Sequence, residues 1–400
     1  MRLRYKAATK EGKLTQGLLD AKDIEEAALY LRSKGFLPIQ IVRIDNKLST
    51  QLPFLNSVKT QDLVLFTRQL SSMLSSGLTV MKSLEILKDQ IQNPAMAEIV
   101  TTIINDVSEG KTLSQAISKH PKVFSNIYVS IIKAGESSGL LDKVLLRLAD
   151  NLEKQAKLKS TIKSALMYPI IVIILMAVVM LVMMVFVIPQ LTVLYENLGV
   201  ALPLPTQILI SVSDFVTLFW PVILIIIAAL IYLYRKWAKT LGGRLIIDDL
   251  VLKMPVFGKL IKQTILAEFS RTFGLLVGTG TLVVEALNET AETTGNVHFY
   301  NAIVGVGQQV EKGVTVGAAM AQSTLFPSLL VQLVKIGEQT GKMDETLQKA
   351  SEYFEREVDQ LVKTLTTAME PFIMIVLGIG VAFLIISVIT PIYSLISSIQ

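Results

Sequence analysis

Apolar residues recur along most of this chain at the spacing of an α-helix. Leu63, Phe66, Leu70, Met73 and Leu74 fall on one face of a helix that stops at Gly77, since apolar side chains at i, i+3, i+4 and i+7 make a single buried stripe. Residues 80–91 and 95–107 continue as helices on either side of Asn93-Pro94. Thr112 with Gln115 is a capping box opening a short helix that ends near His120-Pro121. Another helix covers 125–134. After Gly139, Leu141, Val144, Leu145, Leu148 and Leu152 start a long helix that runs on through Lys154, Lys157, Lys159 and Lys163. That is about six helices, a bundle over 60–168. The helical period then gives way to continuous apolar runs at 169–189, 215–234 and 371–396, none of which contains a charged residue. Each approaches the roughly 20 residues that cross a bilayer core, so three transmembrane helices are expected.

The bundle pattern occurs twice. Phe66, Arg68 and Gly77 recur at a constant offset as Phe269, Arg271 and Gly280. Gly135, Glu136 and Gly139 recur as Gly337, Glu338 and Gly341, with the offset one residue shorter, and Pro169 recurs as Pro371. Four matches in register over a hundred residues, with a single deletion, describe a duplicated domain. The second copy is expected over 262–370. A smaller module precedes both. Leu3, Tyr5 and Ala7 alternate as on a half-buried strand, a second strand suits 14–19, and Asp23 with Glu26 caps a helix carrying Ile24, Ala27, Ala28 and Leu31. Gly35 fits the helix end, a last strand fits 39–44, and 45–59 has the composition of a linker. The fold class is therefore mainly α and integral to a membrane: an α/β module over 1–50, two homologous helical bundles, three spans, and a hairpin over 190–214 between the first two spans.

Composition agrees with the membrane reading: 51% of the 400 residues are hydrophobic and 18% charged. The basic residues also set an orientation. Lys154, Lys157, Lys159 and Lys163 precede the first span and Arg235, Lys236, Lys239 and Arg244 follow the second, whereas 190–214 contains no Lys or Arg. The positive-inside rule then places the N-terminus and both repeats in the cytoplasm, with the hairpin and the C-terminal tail outside. A net charge of +5 clustered beside the membrane reads as topology and not as nucleic-acid binding. Met1 to Lys6 is basic but no apolar run follows it, so no secretory signal is expected. Cysteine is absent, which excludes disulfides, thiolate metal sites and cysteine nucleophiles.

Few residues suggest chemistry. Gly110-Lys111-Thr112 resembles the end of a phosphate-binding loop, but Asn105 stands where the motif needs Gly and the preceding segment is helical. His120 and His298 stand alone, without partners at ligand spacing. Ser160 and Lys163 fit Ser-x-x-Lys, but in a basic helix at the membrane edge. The spans lack the intramembrane ionisable residues that transport or proton relay needs, with Asp214 only at the rim. Gly378 and Gly380 would allow close helix packing, and Pro189, Pro221 and Pro391 mark kinks or interfacial ends. No catalytic residue, cofactor or metal is expected. What remains is Gly-Glu-x-x-Gly in both copies. It has two readings: a helix end and turn, or a site where Glu136 and Glu338 pair with Arg68 and Arg271 or touch a partner protein. Arg68, Gly135, Glu136, Gly139, Arg271, Gly337, Glu338 and Gly341 are thus structural or partner-binding candidates.

The order of these motifs carries a family resemblance: Tyr5-Lys6-Ala7 and Gly35-Phe36-Leu37-Pro38 in the first module, then two copies of Phe-x-Arg-x-(Leu/Phe), each with its Gly-Glu-x-x-Gly and a span opening at Pro169 or Pro371. Over essentially its whole length the chain resembles the inner-membrane platform proteins of type II secretion systems and type IV pili, the GspF/PilC family. The resemblance implies a non-enzymatic platform that couples a hexameric secretion or pilus ATPase to pilins or pseudopilins, alongside other inner-membrane assembly proteins and further copies of itself in the lipid bilayer. The competing class is a membrane transporter or membrane enzyme.

Overall fold

The computed structural model describes residues 2–8, 14–21, 23–43, 57–187, 189–190, 193, 204–255 and 257–399. The N-terminal module is a three-stranded antiparallel sheet in the order β2-β1-β3, made of β1 (Arg2–Ala8), β2 (Leu14–Asp20) and β3 (Leu37–Arg43), with α1 (Ile24–Ser33) before the last strand. Asp23 caps α1 by accepting the Glu26 amide at 2.7 Å. β3 begins two residues earlier than the periodicity suggests and includes Pro38 opposite Ala7. An edge strand accommodates proline because one of its faces needs no ladder donor. The linker expected over 45–59 lies, up to residue 56, outside the described residues.

The first repeat consists of α2 (Thr60–Ser75), α3 (Val80–Gln90), α4 (Pro94–Ser108), α5 (Leu113–Ser118), α6 (Asn126–Ser138) and α7 (Leu141–Val182). Four of these six starts are capped by a side chain: Thr79 accepts from the Lys82 amide, Asn93 from Ala95 with Pro94 at the first helical position, Thr112 from Gln115, and Ser125 from Tyr128. The α7 helix passes through the lysine-rich stretch and Pro169 into the apolar run without a break, ending in a π-helical turn at Met183–Val187. Next come α8 (Leu204–Trp237) and a helix the periodicity did not single out, α9 (Leu241–Lys253). The second repeat consists of α10 (Phe257–Gly278), α11 (Val283–Thr293), α12 (Val297–Glu311), α13 (Val316–Met320), α14 (Ser328–Thr340) and α15 (Met343–Ile399). The hairpin expected to reach residue 214 is shorter on its second side. The α8 helix already starts at Leu204, where Pro205 falls in the first turn and its missing amide proton breaks no helical bond. Residues 191–192 and 194–203 lie outside the described residues.

The duplication is visible in the backbone. Gly77 and Gly280 both have φ 86°, Gly110 and Gly313 both 90°, and Gly139 and Gly341 both 68°. These left-handed conformations, which a side chain disfavours, end the corresponding helices in each copy. Phe66 packs edge-on to Phe124 at 6.0 Å between ring centroids, and Phe269 lies 5.8 Å from Phe326. Lys119 and Gln322 still correspond at the longer offset and Phe124 and Phe326 at the shorter, so the deleted residue belongs to the turn between short helix and bundle helix. The two cores are continuous: one buried cluster runs from Phe66, Leu84, Ile103 and Ile131 to Phe269, Leu287, Phe299 and Phe354. A second, smaller cluster of Leu158, Leu260, Val358, Val362 and Leu365 ties α7, α10 and α15 together where the spans begin. Beyond it, apolar residues such as Ile174, Leu175, Ile225 and Ile379 stand exposed, as lipid-facing side chains do. Among the described residues, three helices are long and apolar enough to cross a membrane, within 141–187, 218–237 and 343–382.

Candidate functional site

The Gly-Glu-x-x-Gly motifs occupy equivalent places. Gly135 lies on α6 where that helix crosses the start of α7, so that a β-carbon there would sit 3.1 Å from Val144 Cβ and 3.3 Å from Leu141 Cα. At Gly337 the approach is closer: a β-carbon would run into Thr346 Oγ1 and come 2.8 Å from Met343 Cα. The glutamates turn away from the arginines. Glu136 accepts the backbone amides of Leu113 and Ser114, the latter at 3.1 Å, together with the Ser114 hydroxyl. Glu338 accepts the amides of Val316 at 2.9 Å and Gly317 at 3.2 Å. Each carboxylate satisfies the otherwise unpaired first amides of a short helix, α5 or α13, and staples it to the helix that carries the glutamate, α6 or α14. Gly139 and Gly341 then end α6 and α14 in the left-handed conformation.

The expected pairing of Glu136 with Arg68 and of Glu338 with Arg271 is therefore corrected. Arg68 on α2 donates to Glu153 through Nε and Nη2 (both 2.6 Å) and to Asp150. The Arg68 hydrogen bonds hold the Glu153 carboxyl below the usual carboxylate range. Arg271 on α10 donates to Glu355 at 2.6 and 3.1 Å, and the Ser351 hydroxyl donates to the same oxygen at 3.0 Å. Facing is the physical reason. The motif glutamate lies one turn from the end of its helix and points at the neighbouring short helix, while the arginine points at the long helix that leads to the membrane. The acidic partners were present in the sequence: Glu153 and Glu355 share the offset that relates Glu136 to Glu338. The two pairs differ in exposure. The Arg271 side chain is 7% exposed and Arg68 29%, with their carboxylates at 23% for Glu355 and 44% for Glu153. We expect Arg271→Ala to destabilise the second bundle by about 3 kcal/mol, as loss of one partner from a mostly buried pair does. Arg68→Ala should cost about 1 kcal/mol or less. Thermal unfolding of the two variants in detergent reads the difference, and equal shifts would contradict it.

Other polar positions have diverged together. In the first repeat, Asp106 is held by Lys111 at 2.6 Å and Lys119 at 2.7 Å, which push its carboxyl down in that order. The second repeat has Gln309 and Gln322 in place of Asp106 and Lys119, joined by an amide hydrogen bond of 2.8 Å, and Val314 in place of Lys111. Thr67 shares a hydrogen bond of 3.1 Å with the buried Tyr128 hydroxyl, whose ionisation burial pushes up. In the second copy Ser270 and Leu330 replace them, and the Ser270 hydroxyl is left without a partner. Lys111 and Thr112 of the phosphate-loop-like stretch are thus an ion-pair partner and a helix cap. His120 and His298 lie far apart in sequence and in different repeats, with His298 Nε2 3.4 Å from the Leu245 carbonyl.

The repeats meet along a charged seam. Arg147 on α7 reaches Asp344 on α15 at 3.4 Å and the Gly278 carbonyl at 3.3 Å, Lys154 faces Glu352 at 3.6 Å, and the Ser130 hydroxyl donates to Glu289 at 2.6 Å. Burial raises the Glu289 carboxyl, against the lowering effect of that hydrogen bond. A cleft of about 450 Å³ opens along the seam between α7, α10 and α15. Its walls carry both signs of charge and include Asp150 and Glu153, which Arg68 holds, and Arg271, which holds Glu355. Sequence reasoning missed these cross-repeat residues because each pairs with a residue that has no counterpart role in its own copy.

Comparison with known proteins matches this architecture. The family described as type II secretion system protein F covers residues 66–189 and again 269–391, and its N-terminal domain covers 4–42. The type IV pilus assembly protein PilC of Thermus thermophilus is 37% identical over 99% of this chain and 98% of its own length. The PilC of Myxococcus xanthus is 34% identical over 99% of this chain and 95% of its own. The type II secretion system protein F of Xanthomonas campestris pv. campestris is 31% identical over 99% of each. With both helical repeats, the N-terminal sheet module and full-length relatives all in place, this chain belongs to the type II secretion system protein F family.

Proposed function

We propose that the protein is the inner-membrane platform of a type IV pilus or type II secretion machine, a non-catalytic coupler between a cytoplasmic hexameric ATPase and pilins or pseudopilins. One observation carries this reading: the last helix of each bundle is also a membrane span. The α7 and α15 helices contain 42 and 57 residues, or roughly 60 and 85 Å of continuous helix. They pack on each other through the repeat seam and the cluster around Leu158 and Val358. A displacement imposed on the bundles by a soluble motor therefore reaches the bilayer through rigid elements. The relatives' names, which specify pilus assembly and type II secretion, support the same reading. A transporter or membrane enzyme finds less support, since the apolar runs 169–189, 215–234 and 371–396 contain no Asp, Glu, Lys, Arg or His to offer a substrate.

The test is mechanical. Inserting four glycines between Ser164 and Ala165 should abolish pilus assembly or secretion while the solubilised protein still retains the ATPase. Normal assembly with the insert would refute coupling through α7. In this role the N-terminus and both bundles face the cytoplasm and the C-terminal tail faces outward. The chain has no cysteine, so Ser397→Cys should react with a membrane-impermeant maleimide in intact cells and Glu98→Cys only after lysis. The opposite pattern would invert the topology.

A further inference from the structure

The α9 helix has no role in the bundle-and-span plan. Three residues separate it from α8, and the connection is a tight corner: the Thr240 amide and hydroxyl both donate to the Trp237 carbonyl, at 3.0 and 2.7 Å. Gly243 packs directly on that carbonyl, where a β-carbon would not fit. The first turn of α9 is thus pinned against the last turn of a membrane-spanning helix. Its inner side is committed to the second bundle. Asp248 accepts the Val297 amide at 2.7 Å at the start of α12, and Gly258 of α10 approaches the Leu252 carbonyl too closely for a side chain. Its other side is apolar and open. Ile246 and Leu250, one turn apart, are 59% and 63% exposed, and Leu241 and Met254 at its two ends are also exposed.

Apolar side chains left open beside a span call for a cover, and the charges around them indicate which. Arg235, Lys236, Lys239 and Arg244 surround the corner, all exposed, and none has an acidic partner among the described residues. Lys253, on the same side as Ile246 and Leu250, pairs with Asp249 at 2.7 Å, and its stem is long enough to lie along the apolar surface. Tyr232, Tyr234 and Trp237 stand exposed at the end of α8, where aromatic residues anchor spans at the interface. An apolar stripe flanked by unpaired basic residues and continuous with a span is the chemistry of a helix lying in the interface plane of an anionic bilayer.

We propose that α9 is an interfacial helix that seats Ile246 and Leu250 in the headgroup layer of an anionic membrane, with Lys239 and Arg244 binding lipid phosphates. It would fix the height of the second bundle above the bilayer, since Asp248 links α9 directly to α12. The absence of cysteine makes the test direct. The full chain carrying Ile246→Cys or Leu250→Cys is spin-labelled and placed in nanodiscs of phosphatidylglycerol and phosphatidylethanolamine. Collision with lipid-soluble oxygen and with a water-soluble nickel chelate is then measured against Ile225→Cys in the span and Glu311→Cys on the exposed bundle surface. The expected result is several-fold more oxygen than chelate collision at 246 and 250, approaching position 225. Chelate access equal to that at 311 would overturn the proposal, as would exclusion of both reagents, which would mean that protein covers the face. Combining Lys239→Gln with Arg244→Gln, or using phosphatidylcholine alone, should raise chelate access several-fold, and unchanged access would overturn the assignment to anionic lipid.

Discussion

Truncating Phe269 to alanine is expected to destabilise the protein by about 3–5 kcal/mol, the range for removing a buried aromatic ring from a packed core. Phe269 is 1% exposed and lies between Phe273, stacked at 5.6 Å, and Phe326 at 5.8 Å. No neighbour can collapse into the vacancy without moving α10, which also carries Arg271 and contacts both long helices. A loss of that size is a large share of the 5–15 kcal/mol that holds a typical domain folded. The measurement is thermal or denaturant unfolding of the detergent-solubilised chain. Because the buried cluster joins both repeats, Phe269→Ala should lower the transition of the first repeat along with the second. A melt in which the first bundle keeps its transition would show that the two cores are energetically separate.

Gly337→Val should be nearly as damaging, by roughly 3 kcal/mol, through overpacking instead of a cavity. The added β-carbon would meet backbone at Met343 as well as Thr346, so the start of α15 has to move away from α14. That displacement also pulls Glu338 from the amides of Val316 and Gly317 and loosens α13. At Gly135 the nearest atoms are those of a valine side chain and the gap is larger, so Gly135→Ala should cost about 1 kcal/mol. Protease cleavage between 313 and 345 should rise in Gly337→Val and stay near wild type in Gly135→Ala. Equal sensitivity would mean that the closer packing of the second copy carries no energetic weight.

These sites show what kinds of information the chain displays openly. Helix existence, the short capped helices and the turn glycines were legible because periodicity and capping are local, and the duplication supplied an internal check at Gly77, Gly110 and Gly139. Partner identity was not legible. Glu136 and Arg68 are equally polar on paper, and which face each occupies depends on the crossing of α6, α5 and α7. Glu153 and Glu355 could have been found by asking which carboxylates repeat at the same offset as the motif glutamates. The early start of α8 was hidden by Pro205, which reads as a turn residue but is at ease in a first helical turn. The α9 helix was hidden for another reason: its apolar residues are spread between a bundle-facing side and an open side, so no single stripe stands out.

The merged core also bears on the history of the molecule. When a domain is first copied, either half can be lost without harm to the other. Here Phe66 and Phe354, at opposite ends of the two copies, belong to one continuous interior, and Ser130 and Arg147 of one copy have partners in the other. Deleting either half would open that interior to water. The duplication therefore works as a ratchet: once the interiors fused, the two copies were free to drift apart at Asp106 and Gln309 or Tyr128 and Leu330, but no longer free to part.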